Sequence, residues 1–533
     1  MMLIASMKRS GNGPPNERKE PKMSKFPPTA EQQAIIDCKF GTTDVIKVKA
    51  FAGTGKTTTL TMFAAAHPEL KMLYVAFSKA VQLEAFGRFP SNVLCKTSHS
   101  LAYANFGSKY QKKMCMGSLK IKTVAEAFGW KKWETAKYTI GTMMNFIASA
   151  DKEIAGKHVP PEGRLVAARA RAEAAGKDFD LASFDADTEN ASDSDFVNNA
   201  KALWKRMCDP KDFAIEMLHD GYLKLWQLSK PTLRYDVILL DEAQDINPAT
   251  ADVVMGQNCV RILVGDVHQQ IYSFRGADNI LAKMKSQHDY ALTQSFRFGK
   301  KIGILASLIL KTFKGEPKSV VGRNGEGELK SVDSNKKYTI ITRTNAVLFS
   351  QAVNLFENKK LGFVGGVYGY KFDEILDTYH LFDGKKHLIK DSYIRSFASY
   401  QEMEAFATEV DDLELKSRIG VVNTYQDRIP YLINQITNTA VDVSRADVVL
   451  TTGHKAKGLE FDQVVLTDDF PQLIKESEET GEEFIVSGLA PDEYNLIYVA
   501  CTRAIKRLQV PGRIVSFLEF IKKADILDED DPA

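Results

Sequence analysis

Two adjacent carboxylates, Asp241 and Glu242, directly follow the apolar run Val237–Leu240. A buried strand that ends in adjacent carboxylates can present a metal ligand and a general base at the carboxyl edge of an α/β sheet. The same pattern also fits a strand that runs into a charged turn, because carboxylates are usually exposed. Metal-assisted hydrolysis of a nucleotide additionally requires a phosphate-binding loop elsewhere in the chain.

A glycine-rich loop lies near the start of the chain, between the apolar run 45–48 and the helix-like segment 58–66. This order of strand, loop and helix is the context of a P-loop, whose backbone N–H groups bind phosphates. Lys56 is predicted to reach the β- and γ-phosphates, although Ala50 replaces the first glycine of the usual pattern. The residues predicted to bind ATP through this loop are Ala52, Gly53, Thr54, Gly55, Lys56, Thr57 and Thr58.

The P-loop gives the carboxylate pair a specific function. Asp241 is predicted to hold Mg²⁺ together with Thr57. Glu242 is predicted to orient and deprotonate the attacking water, as a general base does. Lys56 and Glu242 are therefore counted as catalytic, and the chain is predicted to be an ATP- and Mg²⁺-dependent hydrolase.

A third segment contains residues that a simple P-loop hydrolase does not need. The apolar run 262–264 ends in Gly265 and Asp266, and Gln269 and the sequence IYSFRGA at 271–277 follow. With this segment the chain resembles the UvrD/Rep-like family of superfamily 1 DNA helicases. Other segments resemble motifs of that family in the expected order, namely TAEQ at 29–32, AFSK at 76–79, KTSHS at 96–100, LTQSFR at 292–297, TRTN at 342–345, TGHKAKGLEF at 452–461 and YVACTRA at 498–504.

Within that family the chain looks most similar to the helicase core of the F-box DNA helicases. The similarity is carried by FPSNVLCKT at 89–97, HSLAY at 99–103 and EYNL at 493–496. Only 28 residues precede the first motif, which is too short for an F-box domain. We therefore expect no F-box-type contact with a ubiquitin ligase.

The resemblance implies residues that complete the ATP site. Arg297 and Arg503 would stabilise charge on the γ-phosphate in the manner of arginine fingers. Gln269 would sense the γ-phosphate or the attacking water. At the adenosine end, the resemblance implies that Gln32 reads adenine, Phe296 stacks near it and Glu460 contacts the ribose.

Single-stranded DNA binding calls for aromatic platforms and backbone contacts without base reading. Tyr272 and Phe274 are candidate platforms, because alternate positions in an otherwise polar segment point to the same side. His99 and His454 could contact phosphate or sugar. The full set of predicted DNA contacts is Phe77, Thr97, His99, Tyr272, Phe274, Arg275 and His454.

The elements that must position these residues are short apolar runs that alternate with helix-like stretches. Such alternation indicates parallel sheets covered on both faces. We therefore predict an α/β fold with two RecA-like P-loop domains, each built on a parallel sheet, plus helical insertion subdomains. Strands are predicted at 45–48, 72–77, 237–240, 262–264, 338–342, 448–451 and 464–467.

The composition of successive segments predicts the domain boundaries. Residues 106–229 have few β-branched runs and much Ala, Lys and aromatic residue, which favours a helical insertion in which Trp204 and Trp226 pack rather than contact duplex DNA. The predicted parts are a disordered leader (1–25), a first motor domain (26–105 and 230–285), the helical insertion (106–229), a second motor domain (286–380 and 446–520), a small accessory insertion (381–445) and an acidic tail (521–533).

Composition sets further bounds on the function. The 533 residues are 44% hydrophobic and 26% charged, which is ordinary for a globular chain too long for one core. The net charge of +2 means that any surface for a polyanion must be local. Six cysteines without a CxxC pair argue against a zinc or iron–sulfur site. No apolar run is long enough to span a bilayer, so no membrane partner is expected, and the default location is cytoplasmic, or nuclear in a eukaryote.

These inferences predict an ATP-dependent DNA translocase and helicase that moves 3′-to-5′, with hydrolysis between two RecA-like lobes driving strand separation. Its predicted ligands are ATP, Mg²⁺, and single-stranded and forked DNA. Recombinase and single-strand-binding proteins are candidate partners, in keeping with DNA repair or recombination. Two alternatives stay open: a translocase that mainly strips proteins such as recombinase filaments from DNA, and a non-hydrolysing, ATP-gated DNA-binding module.

Overall fold

The computed structural model describes residues 27–76, 78–115, 117–177, 185, 191–192, 194–271, 279–409, 412–477 and 481–523. The predicted leader and most of the acidic tail lie outside these residues, as do Phe77, Tyr272, Phe274 and Arg275. The chain divides into two compact units. The described parts of Met1–Ala50, Lys56–Val267 and Tyr272–Leu292 form the first unit, and those of Phe51–Gly55, His268–Ile271 and Thr293–Ala533 form the second.

The first unit is built on a six-stranded sheet in which every pair of neighbouring strands is parallel. Its strands are β1 (Val45–Ala50), β2 (Met72–Ala76), β3 (Val93–Thr97), β4 (Val237–Leu240), β5 (Val260–Gly265) and β6 (His288–Leu292). They lie in the order β3-β2-β4-β5-β1-β6. Every residue of β2 and β4 is buried, as continuous apolar runs in a doubly covered sheet require.

Helices cover this sheet and extend beyond it. They are α1 (Ala30–Ile36), α2 (Lys56–Ala66), α3 (Lys79–Phe86), α4 (Ser98–Asn105), α5 (Ile121–Phe128), α6 (Trp133–Ala148), α7 (Pro161–Ala174), α8 (Asp195–Cys208), α9 (His219–Leu228), α10 (Pro248–Met255) and α11 (Ile280–Lys283). Helices α5 to α9 belong to the predicted insertion and share a core of their own, which includes Phe146 and Leu203. Trp226 is buried in that core and Trp204 packs against it.

The second unit contains another six-stranded parallel sheet and two small two-stranded sheets. Its strands are β7 (Gln294–Ser295), β8 (Val321–Gly322), β9 (Glu328–Leu329), β10 (Tyr338–Thr342), β11 (Leu361–Phe363), β12 (Val448–Thr452), β13 (Phe461–Leu466), β14 (Ile474–Glu476), β15 (Glu483–Ile485) and β16 (Ala504–Gln509). The large sheet has the order β11-β12-β10-β13-β16-β9, while β14 pairs with β15 and β7 with β8.

The helices of the second unit are α12 (Lys300–Lys314), α13 (Asn345–Leu355), α14 (Phe372–Phe382), α15 (Ser392–Ser396), α16 (Tyr400–Glu409), α17 (Leu413–Tyr425), α18 (Ile429–Thr439), α19 (Gly453–Ala456), α20 (Pro491–Cys501) and α21 (Gly512–Lys523). Helices α14 to α18 pack with α13 and the sheet in one core, to which Phe349, Phe372, Leu432 and Leu450 contribute.

The predicted fold class is confirmed: two parallel sheets of the RecA-like kind carry helical insertions. The unit boundaries differ in detail from the predicted domain limits. The first unit continues to Leu292 rather than ending at residue 285, because β6 pairs with β1. The predicted limit at residue 380 falls inside α14. Across the described part of the chain, no helix is long and apolar enough to cross a membrane.

Candidate active site

The connection from β1 to α2 has the geometry of a phosphate-binding loop. Gly53 and Gly55 have φ angles of 74° and 78°, a region that glycine adopts at little cost. The Thr54 hydroxyl donates to the Phe51 carbonyl at 2.9 Å and closes the loop on itself. Helix α2 then begins at Lys56, so that the loop leads into a helix N-terminus, where anions are favoured.

The predicted magnesium ligands lie together in the first unit. Asp241 follows β4, and its Oδ2 accepts hydrogen bonds at 2.8 Å from the hydroxyl groups of Thr57 and Tyr74. A carboxylate and a hydroxyl oxygen suit Mg²⁺, which usually takes one or two carboxylates and completes its shell with phosphate and water. Among the described residues no group of three or more His, Cys, Asp or Glu side chains could hold a metal by itself.

Glu242 lies beside the same site in an unusual backbone conformation. Its φ angle is 49°, in the left-handed region, which costs free energy for a residue with a side chain. The carboxylate Oε2 accepts from Lys56 Nζ at 3.0 Å and from Gln244 Nε2 at 2.7 Å. Gln244 Oε1 in turn accepts from the Asp266 backbone N–H at 3.1 Å, so one amide connects the ends of β4 and β5.

The charges of this cluster perturb each other strongly. Burial opposes the charged form of Lys56, but the carboxylates of Glu242, Asp266 and Asp241 outweigh it and raise the pKa of Lys56. Burial and the neighbouring charge of Glu242 raise the pKa of Asp241. A buried carboxylate whose ionised form is disfavoured gains much from a bound cation, so the electrostatics fit a divalent metal ion.

The second unit holds the other predicted phosphate contacts. The Ala52 N–H donates to the Tyr498 hydroxyl at 3.0 Å, and the Gly53 carbonyl accepts from the Phe296 N–H at 2.9 Å. A Cβ atom on Gly53 would lie 2.5 Å from Ser295 Oγ and 2.6 Å from Arg297 Cβ. This close approach explains why glycine is needed here in addition to its positive φ angle.

Two predicted arginines of the second unit have defined partners. Arg297 Nε donates to Glu460 Oε2 at 3.0 Å, and its Nη1 donates to the Thr502 carbonyl at 3.2 Å. Arg503 is 1% exposed and its Nη2 donates to Gln269 Oε1 at 3.4 Å. The structure therefore brings Arg503 to Gln269 and Arg297 to Glu460.

The residues implied at the adenine end differ in their surroundings. Gln32 is buried, and its side-chain amide accepts from the Thr29 N–H at 3.0 Å and donates to the Thr59 hydroxyl at 3.1 Å. The amide oxygen therefore caps the N-terminus of α1, and the amide nitrogen links α1 to α2. Phe296 is 49% exposed, as a side chain available for stacking would be.

The predicted DNA contacts that the structure describes lie at carboxyl edges of the sheets. Thr97 ends β3 and caps α4 through the Ser100 N–H at 3.1 Å. His99, on α4, pairs with Asp220 of α9 through a 2.9 Å contact. His454 lies on α19, directly after β12. The other predicted contacts, Phe77, Tyr272, Phe274 and Arg275, lie outside the described residues.

Tyr74, Asp266 and Tyr498 were not predicted as site residues. Tyr74 binds Asp241, Asp266 adds negative charge near Lys56, and Tyr498 accepts from the P-loop. A hydroxyl-bearing residue in the middle of the apolar run 72–76 is the one local signal for Tyr74, since an otherwise apolar strand would not need a hydroxyl.

Comparisons with known proteins agree with this geometry. The family model of the UvrD/REP helicase N-terminal domain matches residues 29–289, and that of the UvrD-like helicase C-terminal domain matches residues 400–511. The chain is 37% identical over 507 residues to the F-box DNA helicase 1 of Gallus gallus, covering 90% of this chain and 48% of that protein. It is 28% identical over 529 residues to the F-box DNA helicase protein 1 of Schizosaccharomyces pombe, covering 90% of this chain and 57% of that protein. The chain thus spans about half the length of the curated relatives it matches.

Proposed function

Because the chain belongs to the UvrD/REP helicase family, we propose that it is an ATP-dependent motor that moves 3′-to-5′ along single-stranded DNA and unwinds duplex DNA. The observation that supports this proposal best is the cluster in which Lys56 and Thr57 of α2 meet Glu242 and Asp241. Lys56 Nζ lies 3.0 Å from Glu242 Oε2, and Thr57 Oγ1 lies 2.8 Å from Asp241 Oδ2.

The residues of this cluster divide the chemistry between them. Thr57 and Asp241 would hold Mg²⁺, which would withdraw charge from the β- and γ-phosphate oxygens. Glu242 would accept the proton of the attacking water. Lys56 pairs with Glu242 at 3.0 Å, so γ-phosphate oxygens that attract Lys56 would release Glu242 for that task.

Arg297, Arg503 and Gln269 are proposed to act on the γ-phosphate. The guanidinium groups would stabilise the negative charge that spreads over the equatorial oxygens during transfer. The contact between Gln269 and Arg503 supports this assignment, because it would let one residue respond to the state of the other. Forked and single-stranded DNA are the proposed nucleic acid ligands, with Thr97, His99 and His454 among the contacts.

We expect ATP hydrolysis to be stimulated by single-stranded DNA and to fall by about 10²–10⁴-fold in Glu242→Gln, because the variant loses its general base. Lys56→Ala should lose activity as well. Steady-state ATPase rates with and without an unstructured oligonucleotide measure both effects. Glu134→Gln, an exposed change in α6, is the matched control and should retain wild-type rates. An active enzyme whose rate does not respond to DNA contradicts the proposal.

Direction and outcome of movement are tested with tailed duplexes. We expect unwinding of duplexes with a 3′ single-stranded tail and none with a 5′ tail. Preference for the 5′ tail would overturn the direction. Efficient removal of a recombinase filament without strand separation would favour the protein-stripping translocase, and DNA binding that depends on ATP without turnover would favour the non-hydrolysing module.

A further inference from the structure

The loop at residues 364–371, here called the Tyr368 loop, presents an aromatic ring to solvent at the carboxyl edge of the second sheet. It follows β11, which pairs in parallel with β12, and the Val364 N–H continues this pairing by donating to the Leu450 carbonyl at 3.2 Å. Tyr368 is 86% exposed. Its ring therefore buries little apolar surface and contributes little to the core.

The chain on both sides of Tyr368 is nevertheless fixed. Val367 is 8% exposed, and Tyr370 is fully buried. The Tyr370 hydroxyl donates to the carbonyls of Val364 at 2.9 Å and Leu450 at 3.3 Å. An exposed ring on an anchored backbone loses little conformational entropy when a ligand stacks on it, which is the property that a binding platform needs.

A cation contacts the loop next to Tyr368. Lys455 of α19 donates from Nζ to the Gly369 carbonyl at 2.6 Å and lies over the Tyr370 ring, 3.7 Å from its centroid. In the region the structure covers, no carboxylate pairs with Lys455. Lys455 follows His454, one of the predicted DNA contacts, so both positive and aromatic groups meet at one place on this edge.

The turn that precedes Tyr368 has open space around its two glycines. A Cβ atom built on Gly365 or Gly366 would meet nothing within 4 Å. Both glycines have positive φ angles, of 74° and 85°, and hold the loop in its turn. The exposed ring therefore follows a glycine turn, in a loop that Lys455 contacts.

We propose that Tyr368 is a stacking platform for one base of single-stranded DNA and that Lys455 attracts a neighbouring phosphate. The inference rests on the proposed function, since it names a DNA contact of the same motor. A tyrosine face accepts any base, and a lysine that contacts the same loop attracts the backbone without reading sequence, as translocation along an arbitrary strand requires.

The test compares affinities for a fluorescein-labelled oligothymidylate by fluorescence anisotropy. Tyr368→Ala is expected to weaken binding by about tenfold, because stacking of one base is lost. Tyr368→Trp and Tyr368→Phe should bind within about twofold of wild type, since both keep a stacking face. Tyr431→Ala is the matched control, because Tyr431 is also exposed, at 58%, and lies on α18. Thermal midpoints of all variants establish that the comparison is made on folded protein.

An oligonucleotide with abasic sites separates stacking from backbone contacts. The difference between wild type and Tyr368→Ala should disappear on the abasic strand. A difference that persists there, or Tyr368→Ala binding oligothymidylate as tightly as wild type, overturns the stacking platform and leaves the motor function intact. Wild-type protein that binds no DNA overturns the proposed function and this inference together.

Discussion

At the scale of single residues, the carboxylate of Asp241 is held by two kinds of donor. Its Oδ1 accepts from the Glu242 backbone N–H at 2.9 Å, and its Oδ2 accepts from two hydroxyl groups. One of these, Thr57, is itself a predicted metal ligand. The other, Tyr74, lies behind the carboxylate in the core and fixes its orientation, a task that outer-sphere hydrogen bonds commonly perform at metal sites.

Tyr74→Phe is therefore expected to raise the Mg²⁺ concentration needed for half-maximal ATPase activity by about tenfold. The ring is kept, so packing in β2 is preserved and the loss is confined to one hydrogen bond. A Mg²⁺ titration at saturating ATP measures the effect. Tyr110→Phe is the matched control. The Tyr110 hydroxyl also makes one hydrogen bond, to the Cys208 carbonyl at 2.9 Å, and neither residue is close in sequence to a predicted metal ligand. Equal Mg²⁺ dependence of the two variants would refute the role of Tyr74.

At the scale of secondary structure elements, the parallel sheets place the chemistry at particular edges. Strands β1, β4 and β5 are neighbours, and their carboxyl ends lead to the P-loop, to Asp241 and to Asp266. In the second unit, Arg503 and Glu460 precede the paired strands β16 and β13, whereas His454 follows β12. The implied ATP contacts and the implied DNA contact therefore lie at opposite edges of the second sheet.

The loop between β1 and α2 should tolerate no side chain at Gly53. Gly53→Ala would combine a positive φ angle with a Cβ atom 2.6 Å from Arg297 Cβ, so the loop and its N–H groups must shift. We expect ATPase activity to fall by about 10²-fold, as misplacement of a binding group by about 1 Å does. Gly87→Ala serves as the control, because its φ angle is negative and its nearest neighbour is 3.6 Å away. A fully active Gly53→Ala enzyme would contradict the prediction.

At the scale of the whole molecule, separate apolar cores stabilise the two sheets and the helical insertion. All six cysteines lie among the described residues as free thiols, and five of them are buried. Burial raises the pKa of Cys501 and of Cys208 to about 12. Folding therefore keeps these two thiols protonated at neutral pH.

Alkylation by iodoacetamide at pH 8 should consequently be slow at Cys501 and Cys208 in the native protein. With a pKa near 12, only about one thiol in ten thousand is ionised at pH 8, and the thiolate is the reactive form. Mass spectrometry of tryptic peptides measures labelling at each site. In denaturant all six cysteines should react quickly. If native Cys501 reacts as fast as the thiol of a small peptide, its side chain is not buried in the folded protein.

The sequence alone determined the P-loop, the carboxylate pair and the strands whose residues are buried on both faces, because such strands must be continuous apolar runs. It did not reveal the edge strands β3, β6, β9 and β11 or the inner strand β16. β3, β6 and β16 mix polar with apolar residues, and β9 and β11 are only two and three residues long, so none of them is a continuous apolar run of strand length. Only the tertiary structure showed that Tyr74 serves Asp241 and that Lys455 lies beside the Tyr368 loop. Both facts depend on which strands are neighbours, β2 with β4 and β11 with β12, and strand order is set by long crossover connections rather than by any local pattern.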